Sequence, residues 1–384
     1  MLYRSIAATA EGLGPDGPRW RSLFGPLAAR ADDLVHDVLG PILRIPNHPL
    51  TMLRFGMRAA MLAIALNRFF QHEPARALFV GCAAHVFRPL SEVASSAVGT
   101  MMIAAGHRHG RPMAQGGRQP LRRRWSACWS PLAGVVVTGA RVARLTDLPP
   151  HRIAIFDVAP RAFAEFAGNA LVPRRSHAYW RFRHGPVVFK LDLAVSGGVP
   201  WSAPAAGRAG TVHVGGSAAE IAEAEALVCR GVTPEQPFVL VAQQHIADPS
   251  RTSGDVCPVY AYAHVPDAYT GDAAPAIIEQ IERFAPGFGE RILQVRVTTP
   301  GAFERVNPQL RGRRHRRRFQ YPAGHCWATR GVNEQLRDLA PRGLPMLRLD
   351  STRRRDPWHV RVPRRSDGAG GSALTSAQRD WKFF

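Results

Sequence analysis

The chain has 384 residues, 46% of them apolar, and a formal charge of +21. That length leaves room for two domains, and the apolar share is ample for buried cores. Of the 50 basic residues only Lys190 and Lys382 are lysines. A surface made for phosphates does not need guanidinium geometry at every contact, so the arginine excess points to a GC-rich gene before it points to nucleic acid. Five cysteines (Cys82, Cys128, Cys229, Cys257, Cys326) include no CxxC pair. Such a set argues against a disulfide framework and predicts reduced thiols in a cytoplasmic protein. His315, His325 and Cys326 lack the spacing of metal ligands. No GxSxG elbow supports a serine hydrolase.

Taken in chain order, the first 105 residues read as helices. The opening MLYRSIAATAEGLGP lacks the long apolar run of a secretory leader. From Arg19 to Leu39, Trp20, Leu23, Leu27, Ala31, Leu34 and Val38 recur every three or four residues, predicting one amphipathic helix stopped by Gly40-Pro41. A second helix is predicted over Leu50 to Phe70. Arg54, Arg58 and Arg68 interrupt it, and its charge-free core AAMLAIALN is about half what a bilayer crossing needs. As an amphipathic helix it could instead touch a membrane surface or line a lipid-like pocket. Further helices are predicted at Glu73 to Cys82 and Ser91 to Ala105.

Beyond Gly106 the pattern turns to short β-branched and aromatic runs bounded by Gly, Pro and Asp. They predict strands at Val135 to Gly139, Ile153 to Asp157, Pro186 to Val195, Gly210 to Val214, Phe238 to Gln243, Val259 to Ala263 and Ile292 to Thr298. Helices are predicted at Ser217 to Cys229, where Ser217 and Glu220 form a capping-box pair, and at Ala274 to Phe284. The alternation predicts an α/β or α+β fold of enzyme type with a mixed sheet. His213, His245 and His264 are available bases on or near these strands.

Several strings resemble the phytoene desaturase-like FAD-dependent oxidoreductases of the amine-oxidase superfamily. They are ARALFVGCAAHVFRPL (Ala75 to Leu90), MAQGG (Met113 to Gly117), VVVTGARV (Val135 to Val142), FDVAPR (Phe156 to Arg161), GPVVFKLDLAV (Gly185 to Val195), AGTVHVGG (Ala209 to Gly216) and IERFAPGFGERIL (Ile281 to Leu293). The resemblance covers about Met1 to Pro308 and implies an apolar substrate oxidised by hydride removal. It implies a helical substrate region at 1–105, a remnant of the FAD-binding domain at 106–160 and further substrate domain at 161–308. The family's strand–GxGxxG–helix unit, which holds the cofactor diphosphate on a helix N-terminus, has no match. GLGPDGP (Gly12 to Pro18) follows no strand, and GAGG (Gly368 to Gly371) has no βαβ context. The expectation is therefore a remnant of a two-domain FAD-linked fold without its N-terminal Rossmann βαβ unit. By position, Gly116 and Gly117 match the glycine pair near the flavin, Val142 the strand end near the adenine, and Asp157 the turn returning toward the cofactor. A turn, a core residue and a cap are the respective alternatives. The flavin itself accepts the hydride, so no catalytic side chain is named.

The last segment, 309–384, is a separate case. From Arg311 onward it holds 17 arginines and one lysine against six acidic residues. The family closes on a glycine-rich segment near YLCSASTPPGGGTHGMCGY. Shifted by one base with suitable codons, LPMLRLDSTRRRDPWHVRV (Leu344 to Val362) encodes YLCSASTAPGGGTHGMCGY. Arg118 to Pro131 interrupts the resemblance in a similar way. These matches predict an out-of-frame, irregular tail from about Leu310, a misfit helix or loop at Arg118 to Pro131, and a chain that binds FAD poorly and is inactive as written. The competing reading is a non-enzymatic basic protein that binds nucleic acid through this tail. That binding would depend strongly on salt and vanish on truncation at Leu310.

Overall fold

The computed structural model describes residues 1–40, 45–129, 134–182 and 185–306. The expectations for Arg311 to Phe384, and for His315, His325 and Cys326, lie outside the described residues. Among those residues, fourteen α-helices and five strands make an α+β fold.

The N-terminal half is helical. It contains α1 (Ile6–Glu11), α2 (Gly17–Ala28), α3 (Ala31–Val38), α4 (Pro49–Ala59), α5 (Ala63–Leu66), α6 (Glu73–Ala83) and α7 (Ser96–His109). Its core is an aromatic cluster of Trp20, Phe24, Phe70 and Phe79, all without solvent exposure. At Gly99 a Cβ would stand 2.9 Å from the Ala83 Cα, so glycine is what lets α7 lie against α6.

The two long helices expected here are each broken. The first stripe is buried as expected at Trp20, Leu23, Leu27, Ala31 and Leu34. However, the helix stops at Ala28 and restarts after Arg30, whose φ of −120° leaves the helical region. The second bends by 95° between α4 and α5. Neighbouring hydroxyls hold that break open. Ser95 Oγ accepts from the Ala63 amide at 2.8 Å and donates to the Leu90 carbonyl at 2.9 Å. Ser96 Oγ faces the Arg58, Ala59 and Met61 carbonyls. Side chains remote in sequence thus satisfy the orphan groups at the helix ends. Ser95→Ala is expected to cost about 1–2 kcal/mol, because the buried Ala63 amide loses its partner. Urea unfolding measures this, and a change inside error would remove Ser95 as the cap.

Remote carboxylates cap α4 and α6 in the same manner. Asp37 accepts from the Asn47 and His48 amides just before α4, at 3.0 and 2.8 Å. Asp16 accepts from Gln71 at 3.0 Å and from His72 at 2.6 Å just before α6. Neither His48 nor His72 supplies a capping bond from its own side chain.

The middle of the chain departs most from expectation. Arg118 to Trp129 forms a helix, α8, exposed from Gln119 to Cys128, within the helix or loop expected there. The strands expected at Val135 to Gly139 and Ile153 to Asp157 do not form, and Val135, Val136, Val137, Ile153 and Ile155 are exposed. β propensity expresses fit to neighbouring strands, and among the described residues these two runs have no strand beside them. Short helices α9 (Pro160–Ala167) and α10 (Pro173–Trp180) follow.

The five remaining expected strands all form: β1 (Val187–Ser196), β2 (Thr211–Val214), β3 (Val239–Ala242), β4 (Val256–Val265) and β5 (Ile292–Thr298). Their order is β2-β3-β4-β1-β5. Every pairing is antiparallel rather than mixed. Residue alternation marks a strand but is blind to the direction of its partner. One face packs Phe189, Leu191, Leu193, Val259, Ala261 and Ala263 against Ile277 and Ile281 of a helix that follows α11 (Ala218–Cys229) and α12 (Gln244–Ala247). That helix is α13 (Ala274–Glu282), and α14 (Pro300–Val306) ends the described chain. The other face carries Lys190, Asp192, Tyr260, Tyr262 and His264. The capping box of α11 forms as expected, with Ser217 and Glu220 bonded reciprocally.

Candidate functional site

Between the loop after Gly139 and α9 lies a cleft of about 650 Å³. The Asp147 carboxylate shapes one wall, accepting from the Ala143 amide at 2.8 Å and the Arg144 amide at 2.9 Å. Phe156 shapes the other, packing 5.0 Å from Phe163 and 5.1 Å from Phe166 of α9. Val142 and Asp157, fifteen positions apart in sequence, both line this cleft with Ile153, Ile155, Arg141 and Arg161. Its volume is that of a small-molecule site, and its walls are apolar with a few charged groups.

Gly116 and Gly117 are placed elsewhere and do not line the cleft. Their φ values of +70° and +76° form a glycine-only turn. The Gly116 amide donates to Asp248 Oδ2 at 2.7 Å. A Cβ on Gly117 would come within 2.8 Å of an Arg251 nitrogen. The fold therefore brings Val142 and Asp157 together and sets the glycine pair against the segment following β3.

A second polar assembly lies under the sheet. Glu225 of α11 and His264 of β4 are 1% and 2% exposed, and His264 Nδ1–H donates to both carboxylate oxygens at 2.8 and 2.9 Å. The Nε2 of His264 is buried without a hydrogen-bond partner. Nearby, His85 and His213 share a hydrogen bond through their Nε2 atoms at 3.1 Å. Burial lowers the first to about 4 and the second to about 3, so both are neutral at physiological pH. His245 lies on α12, away from this group, with its Nδ1 also buried and unpaired. Glu225 was missed from sequence, although one signal existed. It shares the buried stripe of Ala218, Ile221, Ala224 and Val228, where a carboxylate is out of place.

The described cysteines are all unpaired. Burial pushes the Cys82 thiol up to about 11 and, with the Glu225 and Glu92 charges, Cys229 up to about 12, far from the range of a thiolate nucleophile. Among the described residues no three His, Cys, Asp or Glu side chains are grouped to hold a metal. In comparison with known proteins, no family model matches the chain and no curated protein matches it.

Proposed function

We propose that the chain is an FAD-dependent oxidoreductase of the phytoene desaturase-like type, impaired as written, whose intact form removes hydride from an apolar substrate. The observation that carries this reading is the meeting of Val142 and Asp157 in one cleft. Both positions were singled out by resemblance, and neither predicts the other by spacing. Arg141 and Arg161 in the same walls suit a diphosphate, because guanidinium groups bond phosphate oxygens bidentately. The flavin, when bound, would supply the hydride acceptor. The chain's own contribution is to seat the nucleotide end and to exclude water. Two features weaken its grip. No strand–GxGxxG–helix element occurs among the described residues, and the Gly116 amide is already taken by Asp248.

The expected result is a colourless purified protein that binds FAD no tighter than roughly 100 µM, about −5.5 kcal/mol. Restoring the frame with one base near the codons for Gln309 to Arg311 is expected to tighten FAD at least about tenfold, or 1.4 kcal/mol. Protein purified with one equivalent of flavin would overturn the impairment. A restored frame that meets stop codons, or gains no affinity, would overturn the family reading.

A second reading, peripheral membrane contact, is favoured by α4. Leu50, Leu53 and Met57 are 72%, 59% and 58% exposed and recur at helical spacing. Exposed Leu39, Ile45 and Met61 lie beside them in sequence. No acidic residue occurs between Asp37 and Glu73, whereas Arg44, Arg54, Arg58 and Arg68 do. An apolar stripe flanked by cations suits an anionic bilayer surface. Among the described residues no single helix is long and apolar enough to cross a membrane. Co-sedimentation with phosphatidylserine vesicles is expected, falling at least about fivefold for Leu53→Glu combined with Met57→Glu. Equal sedimentation of wild type and variant would end this reading.

A further inference from the structure

Three unfavourable features converge on His264. Its Nε2 is buried with no partner, and such an atom forgoes the water it would bind in the unfolded chain. Its companion Glu225 is a carboxylate buried within a helix stripe, which is costly unless the site uses the charge. Phe87 lies tilted by 35° against the imidazole, with ring centroids 3.8 Å apart. Phe87 is held at φ +55°, ψ +37°, in the left-handed region that non-glycine residues avoid. Strain of this kind persists where the surroundings over-determine it, and it gathers at sites with a task. A structural clamp between α11 and β4 needs none of the three. A glutamine at position 225 could accept the same Nδ1–H bond without a buried charge.

The surroundings narrow the task. With Nδ1–H given to Glu225, the Nε2 lone pair is the free end of an oriented ring. The walls are aromatic: Phe238 stands 5.9 Å and Tyr262 5.9 Å from the imidazole. His85 and His213 bond each other and leave Nε2 of His264 alone. Phe87 is only half-buried, unlike the imidazole it covers.

We propose that Glu225 and His264 form a gated base, closed by Phe87, whose Nε2 receives the O–H of a small ligand with an aromatic or otherwise apolar body. The site is separate from the Val142–Asp157 cleft and does not rest on the flavin reading.

Diethyl pyrocarbonate tests it at neutral pH. An accessible imidazole nitrogen attacks a carbonyl carbon, forming an N-ethoxycarbonyl bond and releasing ethanol and carbon dioxide. Peptide mass spectrometry reads each histidine separately, and half-exposed His109 is the internal reference. In Phe87→Ala, labelling of His264 relative to His109 is expected to rise at least about tenfold over wild type, as removal of the covering ring exposes Nε2. Phenol should slow it more than toluene, which has the same body but no O–H. Adding Glu225→Gln should lower the His264 rate at least about threefold with His109 unchanged, since the neutral amide no longer stabilises the positive charge that develops on the ring as Nε2 attacks. A folded Phe87→Ala protein whose His264 stays as inert as wild type would overturn the proposal. So would equal protection by phenol and toluene, or indifference to Glu225→Gln. Should Phe87→Ala fail to fold, Phe87→Leu carries the same comparisons.

Discussion

Replacing Trp20 with alanine is expected to destabilise the fold by about 3–5 kcal/mol, at the upper end for single core substitutions. Trp20 has no solvent exposure and packs its ring 4.6 Å from Phe24 and 5.5 Å from Phe70. Its indole Nε1–H donates to His107 Nε2 at 2.9 Å, and His107 Nδ1–H in turn reaches the Tyr3 carbonyl at 2.9 Å. Alanine would leave a ring-sized cavity and an unpaired imidazole nitrogen. Trp20→Phe separates the two terms, since it keeps most of the packing and loses only the hydrogen bond, worth about 1–3 kcal/mol when its acceptor stays buried. Guanidinium unfolding of the three proteins gives both numbers. A loss below about 1 kcal/mol for Trp20→Ala would mean that the aromatic cluster is not what holds the helical half together.

Asp16→Ala should cost about 3 kcal/mol above pH 4, because two backbone amides at the start of α6 lose a charged acceptor. Burial alone would raise the Asp16 carboxyl. The Gln71 and His72 amides, with the His72 and Arg19 charges, outweigh burial and hold it below its ordinary 3.8. A carboxyl whose folded value is depressed stabilises the fold fully above its unfolded value. The contribution is lost as pH falls through the folded one. The gap between wild type and Asp16→Ala should thus be constant from about pH 5 to 7 and narrow below about pH 4. Urea midpoints measured across that range decide it. A gap that widens toward acid would reverse the sign and remove the charge argument.

What was legible in the sequence is whatever nearby residues decide among themselves. The capping box of Ser217 and Glu220 is four residues of chain, and it formed as written. The alternation of Phe189, Leu191, Leu193 and Val195 assigns one face of β1 to the core before any partner is known. Val142 and Asp157 were singled out by resemblance alone. Nothing in their spacing says that a loop and a helix would bring them to one cleft.

Tertiary structure decided where elements stop and which polar groups meet. Arg19 to Leu39 and Leu50 to Phe70 each read as one helix because apolar period is insensitive to a break that keeps the stripe in phase. The second breaks because Ser95 and Ser96 arrive to satisfy the freed backbone groups. Val135 to Val137 has the composition of a strand, and a strand exists only with a neighbour to bond. Asp16 and Asp37 cap helices that begin 57 and 12 residues later, beyond the reach of any local motif. The Glu225–His264 pair spans 39 positions, so its hydrogen bond existed only once α11 had packed against β4. Local periodicity and capping are settled within a few residues of chain, whereas pairing, remote caps and buried charge depend on burial that the completed fold alone provides.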